Sequence, residues 1–319
     1  MADVSVELSK QEALAYYKAA NELYDMYVEA AEYVIENNLF FDLGIPFNLV
    51  DLIKKSWEND VHWHIYSAFI LSGGREGNPI KLLGFDADTP DKLLQTSQAQ
   101  LNDTAFNEIY EMLRENFKRL ITLDDGLELF EERYDGWKIL FSAPDDNEEK
   151  ENTSRFLEQL AGEAGFETAF SYLGEVVFDE DGISDSEGNS YEYWCKNYSW
   201  LDIATDESEL ATMLTNIMQE QQAIIINPAY TLLFESRGML AILKKLYPNS
   251  PYLLNASFEK FDGSVERTVF GEGEEFANFK KLYQEETEDA YNARVFFAYE
   301  ACGLSFLSAK EDFITHTIV

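Results

Sequence analysis

Residues 137–173 read WKILFSAPDDNEEKENTSRFLEQLAGEAGFETAFSYL, and this segment indicates the fold class. It begins with a short apolar run of strand length, continues as an amphipathic helical pattern that ends at a glycine, and returns to a strand-like run. A strand, a helix and a second strand in this order are typical of parallel pairing in an α/β fold. We therefore predict strands over 137–142 and 167–173, a helix over 153–165, and an α/β protein.

The flanking regions extend this mixed pattern. Ser9 followed by Glu12 forms a capping box, because each side chain can satisfy a free backbone N–H, and it predicts a helix over 9–37. Further helices are predicted over 46–57, 90–101, 105–121, 210–222 and 236–247. Strands are predicted over 61–72, 80–85, 223–226, 265–270, 293–300, 303–307 and 313–319, and an acidic hairpin-like loop over 178–189.

Composition and charge exclude several classes of protein. Apolar residues make up 46% of the 319 residues, which is enough for a large core and excludes general disorder. Lys and Arg total 24 against 60 Asp and Glu, and a net charge of −36 disfavours binding to nucleic acid or to an anionic membrane. The two cysteines, Cys195 and Cys302, form no disulfide framework. With no signal peptide or membrane span expected, we predict a cytoplasmic protein, or a component of a particle assembled in the cytoplasm.

Several segments stand in a fixed order along the chain, namely ELYDMYVEA (22–30) with GIP (44–46) and KSWE (55–58), KLLGFDADTP (81–90), NPAY (227–230) with SRG (236–238) and LYPNSPYLL (246–254), and YQE (283–285). In this order they resemble the glutathionylspermidine synthase family, the ATP-grasp-like ligases found in many bacteria. The resemblance implies an N-terminal helical segment over 1–60, a central pre-ATP-grasp-like α/β lobe over 61–205, and a reduced, degenerate ATP-grasp-like lobe over 206–319.

The resemblance also implies a reaction. In the family, ATP phosphorylates a carboxylate, and an amine attacks the acyl phosphate to give an amide. Positive groups and Mg²⁺ must neutralise the transferring phosphoryl group, and Mg²⁺ requires oxygen ligands in near-octahedral array. The family supplies these groups from an R-x-D strand, an E-Y-N strand, a lysine, a G-R-E-G loop and a late arginine.

This sequence departs from the family at most of these positions. Ala68 and Ile70 stand at the R-x-D arginine and aspartate, and Gly84 and Asp86 stand at the E-Y-N glutamate and asparagine. Arg267 takes the place of the lysine, the loop reads GEGE over 271–274, Leu307 stands at the late arginine, and two C-terminal stretches are shorter. The family-equivalent cofactor-binding positions are Arg237, Arg267, Gly271, Gly273, Gln284 and Glu285. If the protein is active, Asp86 and Asp88 are the metal-ligand candidates, and Asp91 could join them.

We predict a catalytically inactive relative that acts by binding, as a regulatory, structural or assembly component. Each lost phosphate-side charge costs roughly 10²–10³ in rate, so changes at several positions together favour loss of activity. A protein partner is then expected, and no cofactor. The alternative is an active, ATP- and Mg-dependent ligase that joins a peptide to a polyamine, a cation that the net charge would attract. A nucleic-acid mimic that occupies basic partners is a third hypothesis, and it rests on composition alone.

Other patterns favour ordinary structural roles. His62 and His64 lie on one face of a predicted strand, but no cysteine is near and His316 is remote, so an edge strand with unremarkable histidines is favoured over a metal site. The segment GGREG (73–77) lies between two strands, which favours a hairpin turn over a phosphate-binding loop. The acidic loop over 179–187 lacks the periodicity of a calcium site. Cys195, although it precedes a lysine, is expected to be a buried structural thiol.

Overall fold

The structure of the protein is a computed structural model that describes residues 5–58, 64–89, 91–99, 106–122, 138–271, 278–287, 290–308, 310 and 312–319. Among the helices in these ranges, none has both the length and the apolar character that crossing a membrane would require.

The bounds of the elements are as follows. The α-helices are α1 (Lys10–Glu36), α2 (Val50–Glu58), α3 (Leu93–Gln98), α4 (Ile109–Thr122), α5 (Glu148–Ala164), α6 (Trp200–Asp206), α7 (Ser208–Gln219), α8 (Thr231–Glu235) and α9 (Gly238–Leu246). The strands are β1 (Ser5–Leu8), β2 (Ser67–Ser72), β3 (Lys81–Asp86), β4 (Lys138–Ala143), β5 (Glu167–Tyr172), β6 (Val177–Asp179), β7 (Gly182–Ser184), β8 (Ser190–Tyr191), β9 (Tyr193–Lys196), β10 (Ile224–Ile226), β11 (Ala256–Ser257), β12 (Ser264–Thr268), β13 (Lys281–Glu285), β14 (Tyr291–Ala298), β15 (Glu300–Ser308) and β16 (Phe313–Ile318).

These elements form two compact units that interleave along the chain. The first comprises Met1–Ile45, Ser67–Ile109 and Leu232–Val319, and the second comprises Pro46–Tyr66 and Tyr110–Thr231. This grouping differs from the consecutive segments 1–60, 61–205 and 206–319, because strand pairing joins residues that are distant in sequence. The sequence-based division into domains stays a prediction.

The first unit contains a six-stranded sheet in the order β1-β16-β15-β14-β2-β3. The pair β1 and β16 is parallel, and the other neighbours are antiparallel. Helix α1 packs on one face, where the ring of Tyr27 lies 4.9 Å from Phe85 and 5.9 Å from Phe69. The rings of Phe69 and Phe85 are stacked at 3.9 Å. Since aromatic pairs bury large apolar areas, this face forms a core of the unit.

The beginning of α1 confirms the predicted capping box. The hydroxyl of Ser9 accepts the N–H of Glu12, and the Glu12 carboxylate accepts the N–H of Ser9. Backbone donors that lack intrahelical partners are thereby satisfied, and the helix begins at Lys10 as the pattern indicates.

A small three-stranded sheet, with the order β11-β13-β12, also belongs to the first unit. Its strands are antiparallel, and Arg267 of β12 lies opposite Leu282 of β13. The segment 265–270 was expected as a strand, whereas β13 was not, because KLYQE shows no regular alternation of apolar residues.

The second unit contains a parallel four-stranded sheet in the order β10-β9-β4-β5. The expected strand, helix and strand are β4, α5 and β5, so the predicted parallel pairing is confirmed. Helix α5 begins at Glu148, earlier than predicted, because Asn147 caps it by accepting the N–H of Lys150 and the acidic run suits the positive end of the helix. It ends at Gly165, whose φ is +114°.

Candidate functional site

One face of the six-stranded sheet carries the positions that the resemblance equates with the family's metal ligands. Cross-strand pairing sets Ile70 of β2 between Gly84 of β3 and Arg294 of β14, and it sets Ala68 opposite Asp86. Partners opposite one another on neighbouring strands project to the same face. Ala68, Ile70, Gly84 and Asp86 therefore lie together on the sheet. One further residue, which the sequence patterns do not predict, lies beside them.

The additional residue is Arg294. Its guanidinium forms an ion pair with the carboxylate of Asp86, and its side chain is 6% exposed. Because β14 and β3 flank β2, this ion pair crosses β2 on the face to which Ala68 and Ile70 belong. The guanidinium therefore lies over the positions from which an R-x-D strand would present its charged side chains.

Opposing causes act on the carboxyl of Asp86. Burial, the largest of them, raises the pKa of Asp86, the charge of Asp91 adds to this rise, and the nearby Arg294 guanidinium acts against it. The backbone N–H of Asp91 donates to the same carboxylate over 3.4 Å. Asp86 is thus engaged by groups of the protein itself.

The donor set on this sheet face does not suit Mg²⁺. Ala68, Ile70 and Gly84 offer no side-chain oxygen, and the carboxylate of Asp86 beside them already holds a guanidinium. Asp88, the second metal-ligand candidate, is fully buried in the loop that follows β3. Within the described ranges, no group of three or more His, Cys, Asp or Glu residues is arranged to hold a metal ion.

Hydroxyl and amide groups border this face on the side of β15. Ser305 lies opposite Arg294, and its hydroxyl is 3.0 Å from that of Thr96 on α3. The Asn107 side-chain amide donates to the Thr96 carbonyl over 2.5 Å. Helix α3 is therefore fixed to the sheet by hydrogen bonds next to the ion pair.

The expected cofactor-binding positions gather around the small sheet. The carbonyl of Gly271 accepts from the Thr268 hydroxyl at 2.7 Å and from the Arg237 guanidinium at 2.9 Å. Arg267 is half-buried on β12, and Gln284 is buried on β13 between Val265 and Ala256. Gly273 lies outside the described residues.

Glu285, the last of these positions, has an intramolecular role. Its carboxylate accepts the backbone N–H of Asn255 at 3.0 Å and the side-chain amide of Asn255 at 2.5 Å. These hydrogen bonds, the backbone one above all, lower the pKa of Glu285. The carboxylate thus fastens the loop before β11 to β13.

Segments that carry the family resemblance also contact one another in the second unit. The Ser56 hydroxyl accepts the N–H of Tyr230 at 3.1 Å, and the rings of Trp57 and Tyr230 lie 5.2 Å apart. Asn227 is fully buried, and its side-chain amide bonds the N–H of Ile65 and the carbonyl of Tyr66. These residues therefore serve the framework.

Segments that carry the family resemblance also contact one another in the first unit. The Lys81 ammonium donates to the Pro251 carbonyl at 2.7 Å, and the N–H of Leu82 donates to the Tyr252 carbonyl at 2.8 Å. The Tyr247 hydroxyl donates to the Glu29 carboxylate on α1. Segments 22–30, 81–90 and 246–254 are thus held together by direct hydrogen bonds.

The alternative sites weighed from the sequence have structural explanations. His64 is buried, and burial lowers its pKa to about 3, so it is uncharged at neutral pH. Burial raises the pKa of Cys195 to about 12, which makes it an inert thiol despite its lysine neighbour. The Asp185 carboxylate accepts from Asn189, Tyr191 and Glu187 of its own hairpin, which leaves it poorly suited to a calcium ion. His62 lies outside the described residues.

Comparison with known proteins agrees with this framework. Residues 1–306 match the family described as glutathionylspermidine synthase preATP-grasp. The bifunctional glutathionylspermidine synthetase/amidase of Escherichia coli K12 is 24% identical over 285 residues, which cover 81% of this chain and 44% of that protein. A putative acid–amine ligase of Haemophilus influenzae is 24% identical over 274 residues, covering 82% of this chain and 65% of that protein.

Among solved structures, a glutathione synthetase-like effector from Globodera pallida in its apo form matches with a TM-score of 0.55. The match covers 98% of this chain and 89% of the effector at 10% identity, so it concerns the fold alone, which is α/β and ATP-grasp-like. The chain spans less than half the length of the bifunctional synthetase/amidase that it resembles. Because the family description matches nearly the whole sequence, the chain belongs to the glutathionylspermidine synthase family as a divergent member.

Proposed function

We propose that this protein is a catalytically silent member of its family and acts by binding a protein partner, as a regulatory, structural or assembly component. The ion pair between Asp86 and Arg294 carries this proposal, because it uses the Asp86 carboxylate, which lies beside Ala68, Ile70 and Gly84. Positions 70 and 84 carry no oxygen ligand, so this sheet face, within the described part of the chain, offers a divalent cation a poor set of donors for neutralising a phosphoryl group.

The groups on the phosphate side support the same proposal. The Arg237 guanidinium donates to the carbonyl of Gly271, and the Glu285 carboxylate holds Asn255. These side chains contribute to the framework of the small sheet. Binding of ATP would require them to exchange these contacts for contacts with a nucleotide, at a cost in free energy.

The exposed surface supports a protein partner. Phe41 is 81% exposed, and the Lys280 ammonium lies 5.1 Å from its ring centroid and 5.3 Å from that of Phe258. Aromatic residues are enriched at protein interfaces, where they bury a large area at a small cost in side-chain entropy. The two cysteines are free and buried, which suits a protein of the reducing cytoplasm.

Two experiments test the proposal. The first measures phosphate release from ATP with Mg²⁺, glutathione and spermidine, and we expect no release above the rate without protein.

The second experiment captures partners by cross-linking in the cell that expresses the protein. We expect Phe41→Ser to lose the cross-linked partner and Leu14→Ser, which alters a side chain that is 48% exposed on α1, to keep it. Release that depends on both substrates, or equal capture by the two variants, would contradict the proposal.

One observation favours the rival function of an active carboxylate–amine ligase. Arg294 adds a basic group that the family comparison did not predict, and it lies close to the metal-ligand positions. A guanidinium can stabilise negative charge on a transferring phosphoryl group. If Arg294 acts in this way, Arg294→Met should abolish the phosphate release that the first experiment measures. Absence of release from the unaltered chain across a panel of peptides and polyamines would exclude this rival.

A further inference from the structure

We infer that the Arg294 guanidinium takes the structural place of a divalent cation, as a built-in positive charge that neutralises Asp86 and holds β3, β2 and β14 together. The inference deepens the proposed function and rests on it in one respect, namely that no metal-dependent step requires this sheet face. It assigns to Arg294 a role that the resemblance to the family does not supply.

Position is the first observation that carries the inference. Arg294 lies opposite Ile70, and Asp86 lies opposite Ala68, so the guanidinium must reach over β2 to meet the carboxylate. β14 and β3 lie on either side of β2. They are two strand spacings, about 10 Å, apart, and the arginine and aspartate side chains together are long enough to span that distance. Ala68, the residue of β2 opposite Asp86, has a small side chain that takes up little space on this face.

Charge is the second observation. The Arg294 side chain is 6% exposed and the Asp86 side chain is 18% exposed, so neither charge is well hydrated. Removing one partner of such a pair leaves an uncompensated buried charge, which is strongly destabilising. A bound cation would meet the same requirement, but it would depend on the metal concentration in the cell, whereas Arg294 is always present.

The third observation concerns the hydrogen-bonding groups of the arginine. Among the residues that the structure describes, the buried Nε atom of Arg294 finds no hydrogen-bond partner, while one Nη atom binds Asp86. A guanidinium selected for a full set of hydrogen bonds would engage more of its donors. The contact that the arginine does make places positive charge next to a carboxylate, which a cation at this position would also provide.

A double-mutant cycle of Asp86→Asn and Arg294→Met tests the inference through the equilibrium of urea unfolding. We expect the two changes to be coupled by at least about tenfold in the unfolding equilibrium constant, since residues in direct contact are not additive. We also expect Arg294→Lys to retain part of the coupling, because it keeps the charge. Additive effects would overturn the inference.

A second measurement follows the pKa of Asp86 by NMR. In Arg294→Met, burial is no longer opposed by the guanidinium, so the pKa of Asp86 should rise above its value in the unaltered chain, with Asp91 as the neighbouring carboxyl that must be assigned alongside it. An unchanged pKa would show that Arg294 does not neutralise Asp86.

A third measurement uses the unaltered chain, so its outcome does not depend on whether a variant folds. Manganese is added to the unaltered chain, and paramagnetic broadening is recorded at Asp86. We expect no broadening at Asp86 up to millimolar Mn²⁺, because the guanidinium occupies the place of the cation. Saturable broadening there would overturn the inference. Catalytic turnover affects none of these readouts, so failure of the inference and failure of the proposed function are distinguishable.

Discussion

At the scale of single residues, Gly84 lacks the carboxylate that the family resemblance implies at this position, and the shape of the backbone does not require a glycine there. A Cβ atom built at Gly84 would meet only the Cδ1 atom of Ile70, at the ordinary contact distance of 3.8 Å. The backbone there does not adopt a positive φ, so glycine is not required by conformation. Gly303 differs, because a Cβ there would lie 2.4 Å from the side chain of Ile109.

This contrast predicts unequal effects of the same substitution. Gly84→Ala should change the free energy of unfolding by no more than about 0.5 kcal/mol, since its environment has room. Gly303→Ala should cost roughly 1–3 kcal/mol through overpacking against Ile109. Urea unfolding of both variants checks the prediction. A large loss in Gly84→Ala would mean that glycine is kept at this position for a steric reason.

The role of Arg294 can be predicted from the sequence only in part. An arginine within an apolar strand, as in ARVFFAYE, is a signal in itself, because buried charges require a partner. Its partner could not be identified, since Asp86 is 208 residues away along the chain and only strand register brings them together.

At the scale of elements, α1 contributes to the core of the first unit mainly through its buried face. Tyr27 is 1% exposed, and its ring contacts those of Phe69, Phe85 and Phe234. Four aromatic side chains from separate parts of the chain therefore meet at one position. The helix is accordingly part of the core of the first unit and not an appendage of it.

Tyr27→Ala should lower the free energy of unfolding by about 3–5 kcal/mol, because it removes a large buried ring and leaves a cavity. Phe41→Ala is the matched control, since it removes a ring that is 81% exposed and should change the free energy by no more than about 0.5 kcal/mol. Chemical unfolding monitored by circular dichroism checks both. Similar losses in the two variants would contradict the assignment of α1 to the core.

The elements that sequence patterns identified have local causes. The capping box begins α1, Gly165 ends α5, and the turn over 73–79 joins β2 to β3 as a hairpin. Outside the acidic hairpin-like loop, the sequence patterns do not identify the strands β1, β9, β11 and β13. The sequences of β1 and β13 are short and mixed in polarity, and they become strands because β16 and β12 offer them partners.

At the scale of the whole molecule, buried histidines link stability to pH. The Nε2 atom of His316 accepts the N–H of Phe106 at 3.1 Å, and burial lowers the pKa of this histidine to about 4. The unfolded chain takes up the proton near pH 6.5, whereas the folded chain resists it until about pH 4. The stability contributed by neutral His316 is therefore present above pH 6.5 and is lost as the pH falls from 6.5 towards 4.

We expect the free energy of unfolding of the unaltered chain to fall between pH 7 and pH 5. In His316→Gln, that fall should be smaller by on the order of 1 kcal/mol, because one buried group that gains a proton on unfolding has been removed. Urea titrations at both pH values measure the difference. His64 remains in the variant and keeps part of the dependence, so a fall of unchanged size would show that His316 is not buried in its neutral form.

The resemblance to the family extended over the whole molecule because the residues that carry it are framework residues. Trp57 packs on Tyr230 in the second unit, and Lys81 holds the backbone at Pro251 in the first, so within each unit segments that carry the resemblance contact one another. Ala68, Ile70 and Gly84 take no part in these contacts. A sequence comparison therefore indicated the fold well, while the ion pair beside them had to be found in the structure.

Calorimetric titration of the unaltered chain with ATP in the presence of Mg²⁺ tests the central claim most directly. The claim is that the ligase framework persists without the donor groups that hold a nucleotide and its cation. We predict no heat of binding beyond that of dilution, up to millimolar nucleotide. Saturable binding with micromolar affinity, dependent on Mg²⁺, would contradict it.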